Sequence, residues 1–254
     1  VEWTLHDCWA FTGHCAYFTY VKCAQWKDRC AYSKPCSQLN TYPKTYSRVS
    51  CLWNFEQKKR VFNLVPAERM KLITPSQWLA NLVGESFLGD FPVEVRHNTI
   101  DTSVFKPTPS DFRERYGIGD RFMILGVASP WTERKGLADF VRLAGELDSE
   151  KFAIVLVGLS EKQIKDLSKQ LVALPKTENN ERLVEAYSAA DVFFNLTVED
   201  NYPTVNLEAE ACGTPVVTYD TGGCAETVWR KDSRVVTAYK DARQAIEMMT
   251  GEYR

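Results

Sequence analysis

The most regular pattern of apolar and polar positions lies in the second half of the chain, where short, nearly unbroken apolar runs alternate with amphipathic stretches. FMILGVAS (122–129), FAIVLVGL (152–159), LVALPKT (171–177), VFFNLT (192–197) and PVVTYD (215–220) read as strands covered on both faces. Stretches near 135–148, 161–170, 180–190 and 205–212 read as helices between them. Five strands alternating with helices predict a parallel α/β sheet, with a nucleotide-sized crevice at the carboxyl ends of its strands. The first half has the same rhythm in weaker form: VEWTL (1–5), a helix near 54–65, MKLIT (70–74), a helix near 76–87 and PVEVRHN (92–98). Residues 8–55 break it, being rich in Cys, Trp, Tyr and Lys with little periodicity, and read as a long excursion from the first sheet. Residues 99–120, with Thr, Asp, Ser and two prolines, read as the linker between domains. The expected organisation is a first domain at 1–105, a linker at 106–120 and a second domain at 121–254.

Composition narrows the function classes. With 254 residues, 44% hydrophobic, 25% charged and a net charge of −2, the chain is long enough for two ordinary α/β domains. No apolar run approaches the roughly 18 residues of a membrane span. Near-neutral charge without a long basic block argues against nucleic acid as a partner. The opening VEWTLHDCWAF has neither a Met start nor the pattern of a signal peptide. Because VEWTL ends directly in His6 and Asp7, as a buried strand does when it delivers polar groups to a site, the chain is expected to be a fragment whose first domain is incomplete. Six of the eight cysteines fall in the first fifth, separated by six, seven, six, five and fourteen residues, with no CxxC pair. Cytoplasmic, reduced thiols are expected on these grounds. Three readings stay open: a structural zinc on some of Cys15, Cys23, Cys30, Cys36 and His14, local disulfides, or unliganded thiols. Trp3, Trp9, Trp26 and Trp53 have the faces to stack on sugars, and each is read first as core packing.

Two segments at predicted strand ends have the residue types for phosphate and hydroxyl chemistry. In SPWTERKG (129–136), Arg134, Lys135 and Gly136 open the next predicted helix. Two cations beside a glycine would hold a diphosphate at a helix start; a solvated basic turn is the plain alternative. In VFFNLTVEDNYPTVNLEAEACGTPVVTYDTGG (192–223), a buried strand is followed by an acidic loop, a short helix carrying Glu208 and Glu210, a Gly-Thr-Pro turn, another strand and a Gly-Gly turn. A carboxylate there accepts hydrogen bonds from adjacent sugar hydroxyls, and amides at the helix start bind phosphate oxygens. The plain alternative is that Glu208 serves its own helix dipole.

Taken together, SPWTERKG, EDNYPTVNLEAEACGTPVV and TGG resemble the donor-binding domain of the family 4 retaining glycosyltransferases, and especially members that build bacterial surface polysaccharides. WTLHDCWAFTGHC, ITPSQWLA and VRHNTIDTSVFKP are similar to the later part of that family's first domain and its linker. The resemblance implies the GT-B fold, two Rossmann-like domains with parallel sheets facing a cleft. It implies that Lys135, with Arg134, neutralises the donor diphosphate, and that Glu208 holds the ribose. It places Asn201, Tyr202, Pro203, Thr204 and Val205 in the loop against sugar and phosphates, and His6 beside the transferred sugar. Of the family's two acidic residues separated by seven others, Asp200 has the spacing to Glu208 and Glu199 stands one residue too far; both are candidates. Asn98 and Asp101 match the Asn-Gly-Ile-Asp segment before the linker, with Thr99 in place of its Gly. Pro130 stands where the family often has a second phosphate-binding Arg.

The implied reaction is transfer of a sugar from a nucleotide-diphosphate sugar to a hydroxyl of a glycan or lipid-linked acceptor, with retention at the anomeric carbon. No cofactor is expected for the chemistry if cations and helix amides carry the leaving group's charge. Cytoplasmic localisation is expected, with peripheral contact at the inner face of the membrane where the acceptor is lipid-linked. The absence of any GxGxxG opening a helix disfavours a nicotinamide enzyme. An epimerase or phosphorylase on the same fold, and a non-catalytic donor-binding subunit, are the alternatives.

Overall fold

The computed structural model describes residues 1–45, 47, 50–167 and 171–251. The chain forms two compact units, one made of Val1–Asn98 with Glu199–Tyr202, the other of Thr99–Val198 and Pro203–Arg254. Among the described residues no helix is long and apolar enough to cross a membrane.

The first unit is built on three parallel strands in the order β1 (Glu2–Thr4), β2 (Lys71–Thr74) and β3 (Val93–Val95), with Trp3 opposite Leu72 and Leu72 opposite Val93. Helix α1 (Ser50–Phe62) begins and ends a few residues before the expected 54–65. It starts early because Ser47 captures its first turn, Ser50 N–H donating to Ser47 Oγ. Helix α2 (Gln77–Gly84) is capped by Ser76, whose hydroxyl accepts Leu79 N–H. The Cys- and Trp-rich excursion is a loop with two short 3₁₀ turns, Trp9–Phe11 and Gln25–Lys27, and its aromatic residues fill the unit's core. Trp26 is buried against Phe11 and Phe18 at ring separations of 5.5 and 5.0 Å. Trp3 is half-buried and meets Phe62 edge-on. Trp9 and Trp53 depart from the core reading: they are 43% and 61% exposed. Trp9 lies outside because its face is occupied by the Lys58 ammonium, 3.3 Å from the ring centroid.

The second unit is the sheet that the apolar runs announce, with one strand more. Its order is β6-β5-β4-β7-β8-β9, all parallel, with β4 at Phe122–Val127, β5 at Phe152–Val157, β6 at Val172–Leu174, β7 at Val192–Asn195, β8 at Val216–Tyr219 and β9 at Arg234–Val236. Alternate residues enter two cores on opposite faces. Ile124, Ile154, Phe194 and Val217 pack under α4 (Leu137–Glu146) and α8 (Tyr239–Thr250). Met123, Val155, Phe193 and Val216 pack under α6 (Asn180–Ala189) and α7 (Thr204–Ala211). Helix α3 (Phe112–Arg115) lies inside the segment 106–120, where Phe112 and Ile118 are buried in the second of these cores. Helix α5 spans Glu161–Leu167; the remaining residues of the expected 161–170 helix, 168–170, lie outside the described residues.

Candidate functional site

In the second unit β4 lies between β5, which follows it, and β7, which comes three strands later. The chain therefore reverses its direction of travel across the sheet between β4 and β7, the position at which open parallel sheets place ligand sites. Both sequence segments singled out above leave the sheet here. The loop after β4 does not open a helix at Arg134: Glu133–Lys135 is a 3₁₀ turn, and α4 starts only at Leu137. Gly136 causes the break. Its φ is +76°, and a Cβ added there would lie 2.1 Å from the Leu196 carbonyl oxygen, so only glycine lets the turn approach the β7 loop this closely. The two loops are also joined by hydrogen bonds. The Arg134 carbonyl accepts Val198 N–H at 2.9 Å and the Thr197 hydroxyl at 3.1 Å. Thr221, beside the Gly-Gly turn after β8, donates to the Thr197 carbonyl at 2.7 Å. Arg134 and Lys135 are thus held by backbone links to the β7 loop, while their own side chains are half-buried.

Pro203 precedes α7, and Thr204 and Val205 form its first turn without a side-chain cap. No acidic residue occupies that turn, so Glu208 does not serve the dipole of its own helix start. Its carboxylate instead accepts the Tyr187 hydroxyl at 2.9 Å. Burial raises the Glu208 carboxyl above the ordinary carboxylate range, against the opposing pull of hydrogen bonds from Tyr187 and Thr204. Glu210, two residues on, is 1% exposed and structural. It accepts Trp229 N–H, Arg230 N–H and the Ser233 hydroxyl at 3.0, 3.3 and 2.6 Å. A second network fixes the same helix: Asn195 donates to Asn206, and Asn206 to Thr227, at 2.9 and 2.8 Å. At the carboxyl ends of β5 and β6, a cavity of about 360 Å³ is lined by Val157, Leu174, Pro175 and Lys176, and by Glu185 and Ala186 just before Tyr187.

The remaining sequence candidates belong to the first unit. His6 is exposed, and its carbonyl accepts the Asn201 amide at 2.9 Å. Asn201 is buried and also bonded to the Ser76 hydroxyl at 2.6 Å. Asp200 Oδ1 accepts Asn201 N–H. Tyr202 stacks on His97 with centroids 4.7 Å apart and planes 15° from parallel, and its carbonyl accepts Asn98 Nδ2. Glu199 is fully buried, with one carboxylate oxygen on Phe18 N–H at 3.2 Å and the other on Tyr20 N–H at 3.0 Å. Burial raises its carboxyl, and the amides of residues 18–20 pull the other way. The structure therefore collects Arg134, Lys135, Pro203, Thr204, Val205 and Glu208 in the second unit, and His6, Glu199, Asp200, Asn201 and Tyr202 in the first.

Sequence reasoning did not find Tyr187, Ser76, His97 or the buried Lys58, whose ammonium interacts electrostatically with the half-buried Asp7. Burial raises the Asp7 carboxyl and lowers the Lys58 ammonium to about 8. Lys58 donates to the Trp9 and Thr12 carbonyls at 2.6 and 2.9 Å. The only signal for Asp7 was its place at the end of β1.

Residues 110–250 match the family of glycosyl transferases group 1. The Escherichia coli K12 protein WcaC, named for colanic acid biosynthesis, is 24% identical over 249 residues, which cover 92% of this chain and 55% of WcaC. A GDP-mannose-dependent α-(1-6)-phosphatidylinositol monomannoside mannosyltransferase of Mycolicibacterium smegmatis is 34% identical over 149 residues, 51% of this chain and 38% of that protein. The chain thus spans about half the length of WcaC, and less of the mannosyltransferase. Among solved structures, Anabaena Alr3699/HepE, crystallised with UDP and glucose, superposes with a TM-score of 0.61 at 19% identity, covering 79% of this chain and 57% of that one. WaaG, a glycosyltransferase of lipopolysaccharide biosynthesis, superposes with a TM-score of 0.63 at 16% identity, covering 87% and 65%. The fold is GT-B, and with the family match extending over more than half of its residues, the chain belongs to the glycosyl transferases of group 1.

Proposed function

We propose that the protein of which this chain is part transfers a sugar from a nucleotide-diphosphate sugar to a hydroxyl of a glycan or lipid-linked acceptor, with retention at the anomeric carbon. The observation that carries the reading is the joining of the β4 and β7 loops where the strand order reverses, with Arg134 and Lys135 on one loop and the uncapped start of α7, followed by Glu208, on the other. In this reading Lys135 and Arg134 take the diphosphate together with the α7 amides of Thr204 and Val205, and Glu208 accepts the ribose hydroxyls. The cavity before Tyr187 has the volume for a base. As the bond from the anomeric carbon to the diphosphate breaks, negative charge grows on the leaving oxygen, and cations and amides fixed in advance stabilise it. The acceptor oxygen bonds to the same carbon from the same face, and its proton leaves with the diphosphate. On the resemblance, His6 and Asp200 contact the transferred sugar. Glu199 anchors the loop, because both of its oxygens are committed to backbone amides.

The test is calorimetric titration with UDP-, GDP-, ADP- and TDP-sugars beside the free nucleosides, on the chain and on Lys135→Ala. The expected result is binding of one base class, with Lys135→Ala costing a diphosphate ligand about 1.5–3 kcal/mol and the nucleoside far less. Equal affinity for diphosphate in both proteins would remove Lys135 from the site. Retention is read separately, from the anomeric configuration of the first product formed by the whole protein. An inverted product would overturn that part of the reading and leave donor binding intact.

A further inference from the structure

Between Thr12 and Thr45 the first unit has one 3₁₀ turn as its only regular element among the described residues, so backbone pairing does little to order this loop. Its side chains nevertheless converge. His14, Cys15, Cys23, Cys30, Cys36 and Cys51 line one cavity of about 10 Å³. That volume is at or below what a water molecule occupies, about 10–15 Å³, and suits a single monatomic ion. Among the described residues, which include every cysteine, no disulfide is formed. Cys15 Sγ and Cys36 Sγ are 3.9 Å apart. Disulfide sulfurs stand about 2.05 Å apart, whereas thiolates about 2.3 Å from a tetrahedral zinc stand about 3.8 Å from one another.

Two further observations favour a metal. His14 is 6% exposed; its ring hydrogen-bonds to the Gln38 backbone while Nε2 is buried with no partner. An imidazole anchored through one nitrogen, with the other left over in a wall of thiols, is the arrangement that metal-bound histidines adopt, and an orphaned buried nitrogen is otherwise costly. Donors also surround the sulfurs: backbone amides of Gly13 and Gln38 hydrogen-bond to Cys30 and Cys36. Thr12 donates to the Cys15 carbonyl at 2.6 Å, and the Lys58 ammonium, on the Thr12 carbonyl, supplies positive charge beside a set of thiolates.

As they stand, with Cys36 hydrogen-bonded to Cys15 and Cys51, no three His, Cys, Asp or Glu side chains among the described residues enclose an ion. Those contacts need thiol hydrogens, and losing them to a metal frees each sulfur to turn about its one side-chain torsion. We propose that this loop is a structural zinc module, with one ion held by four of the six cavity-lining groups, Cys15 and Cys36 among them. Zinc rather than an iron–sulfur cluster follows from the cavity, which has room for one ion. The ion closes a loop that has no ladder of its own and so holds the aromatic core of Phe11, Phe18 and Trp26 in place.

The experiment is metal analysis and native mass spectrometry of the chain, with alkylation mapping before and after a strong chelator, and the Cys15→Ser/Cys36→Ser double variant alongside. Expected are about one zinc per chain, little in the double variant, and Cys15 and Cys36 of the unaltered protein protected from alkylation until the chelator is added, then modified at least about tenfold faster. The protection measurement stands even where the double variant fails to fold. A chain free of zinc after growth in zinc-replete medium, iron in its place, full zinc retention by the double variant, or a mass two hydrogens low for each disulfide would each overturn the proposal.

Discussion

Glu208 and Glu210 lie two residues apart on one short helix and have opposite fates. Glu210 spends its oxygens on three internal donors. Glu208 has one tyrosine hydroxyl and one threonine hydroxyl and keeps acceptor capacity. Glu208→Ala is therefore expected to abolish most nucleotide binding at a stability cost of about 2 kcal/mol, two hydrogen bonds at about 1 kcal/mol each. Its raised carboxyl gives the binding a pH signature. Ribose hydroxyls need the ionised acceptor, so affinity should hold at neutral pH and fall as pH drops through a value above the ordinary 4.5. The linkage to folding has the other sign: a carboxyl raised in the folded state contributes stability that is fully present below 4.5 and lost as pH rises through the folded value. Glu208→Gln should flatten both profiles, measured by titration calorimetry and by urea denaturation across pH 4–8. A wild-type affinity that does not change over that range would show that Glu208 is not the ribose acceptor. Glu208 stood out in the sequence as a carboxylate in the acidic segment after β7, and its ribose role came only from the family resemblance of EDNYPTVNLE. Its partner Tyr187 did not stand out, because a tyrosine within an amphipathic helix pattern reads as core and the contact spans 21 residues.

At the scale of elements, the apolar runs foretold β4, β5, β7 and β8 because each is buried on both faces, and a long apolar run between polar turns has few other readings. Strand β9 escaped because Arg234 and Val235 are exposed at the sheet edge, leaving no periodic signal, and α8 escaped with it because no side chain caps its start. The Lys135 turn was read as the opening of a helix because a left-handed glycine is invisible to a periodicity argument. That glycine makes a sharp prediction. Gly136→Ala combines a positive φ with overlap of the Leu196 carbonyl, and should cost about 3 kcal/mol or more. Gly145→Ala, in the last turn of α4 with open space around its Cβ, should be neutral or stabilising by up to about 1 kcal/mol. Matching denaturation midpoints for the two variants would mean that the turn yields easily and that the β4 and β7 loops are not held together through it. Glu210→Ala belongs at the same scale. It strands three donors under α7, one of which, Ser233, also receives Val216 N–H of β8 at 2.8 Å. A loss of about 3–5 kcal/mol is expected, with nucleotide affinity of the remaining folded protein close to normal.

For the whole molecule, the decisive fact is that each unit has hydrophobic clusters of its own among the described residues. One cluster lies in the first unit, around Phe11, Trp26, Leu72 and Leu79, and two flank the six-stranded sheet of the second. Units with separate cores unfold as separate cooperative systems unless their interface is large and apolar. Scanning calorimetry should therefore resolve two transitions, and each ligand assigned above should move one of them. A nucleotide sugar at about 100 times its dissociation constant adds about 2.7 kcal/mol to the unit that binds it. For a domain of about 150 residues that corresponds to a midpoint shift of roughly 5–10 °C. The shift should fall on the second unit's transition and vanish in Glu208→Ala. A zinc chelator should instead lower the first unit's transition alone, because the cysteines that line the cavity all lie between Cys15 and Cys51. The crossed design separates the two proposals: a nucleotide effect without a chelator effect supports the donor site and removes the zinc, and the reverse outcome does the opposite. One transition moved equally by both ligands would mean that the two cores unfold as one, and the assignment of each ligand to its own unit would then have to be read from the Glu208 and cysteine variants alone.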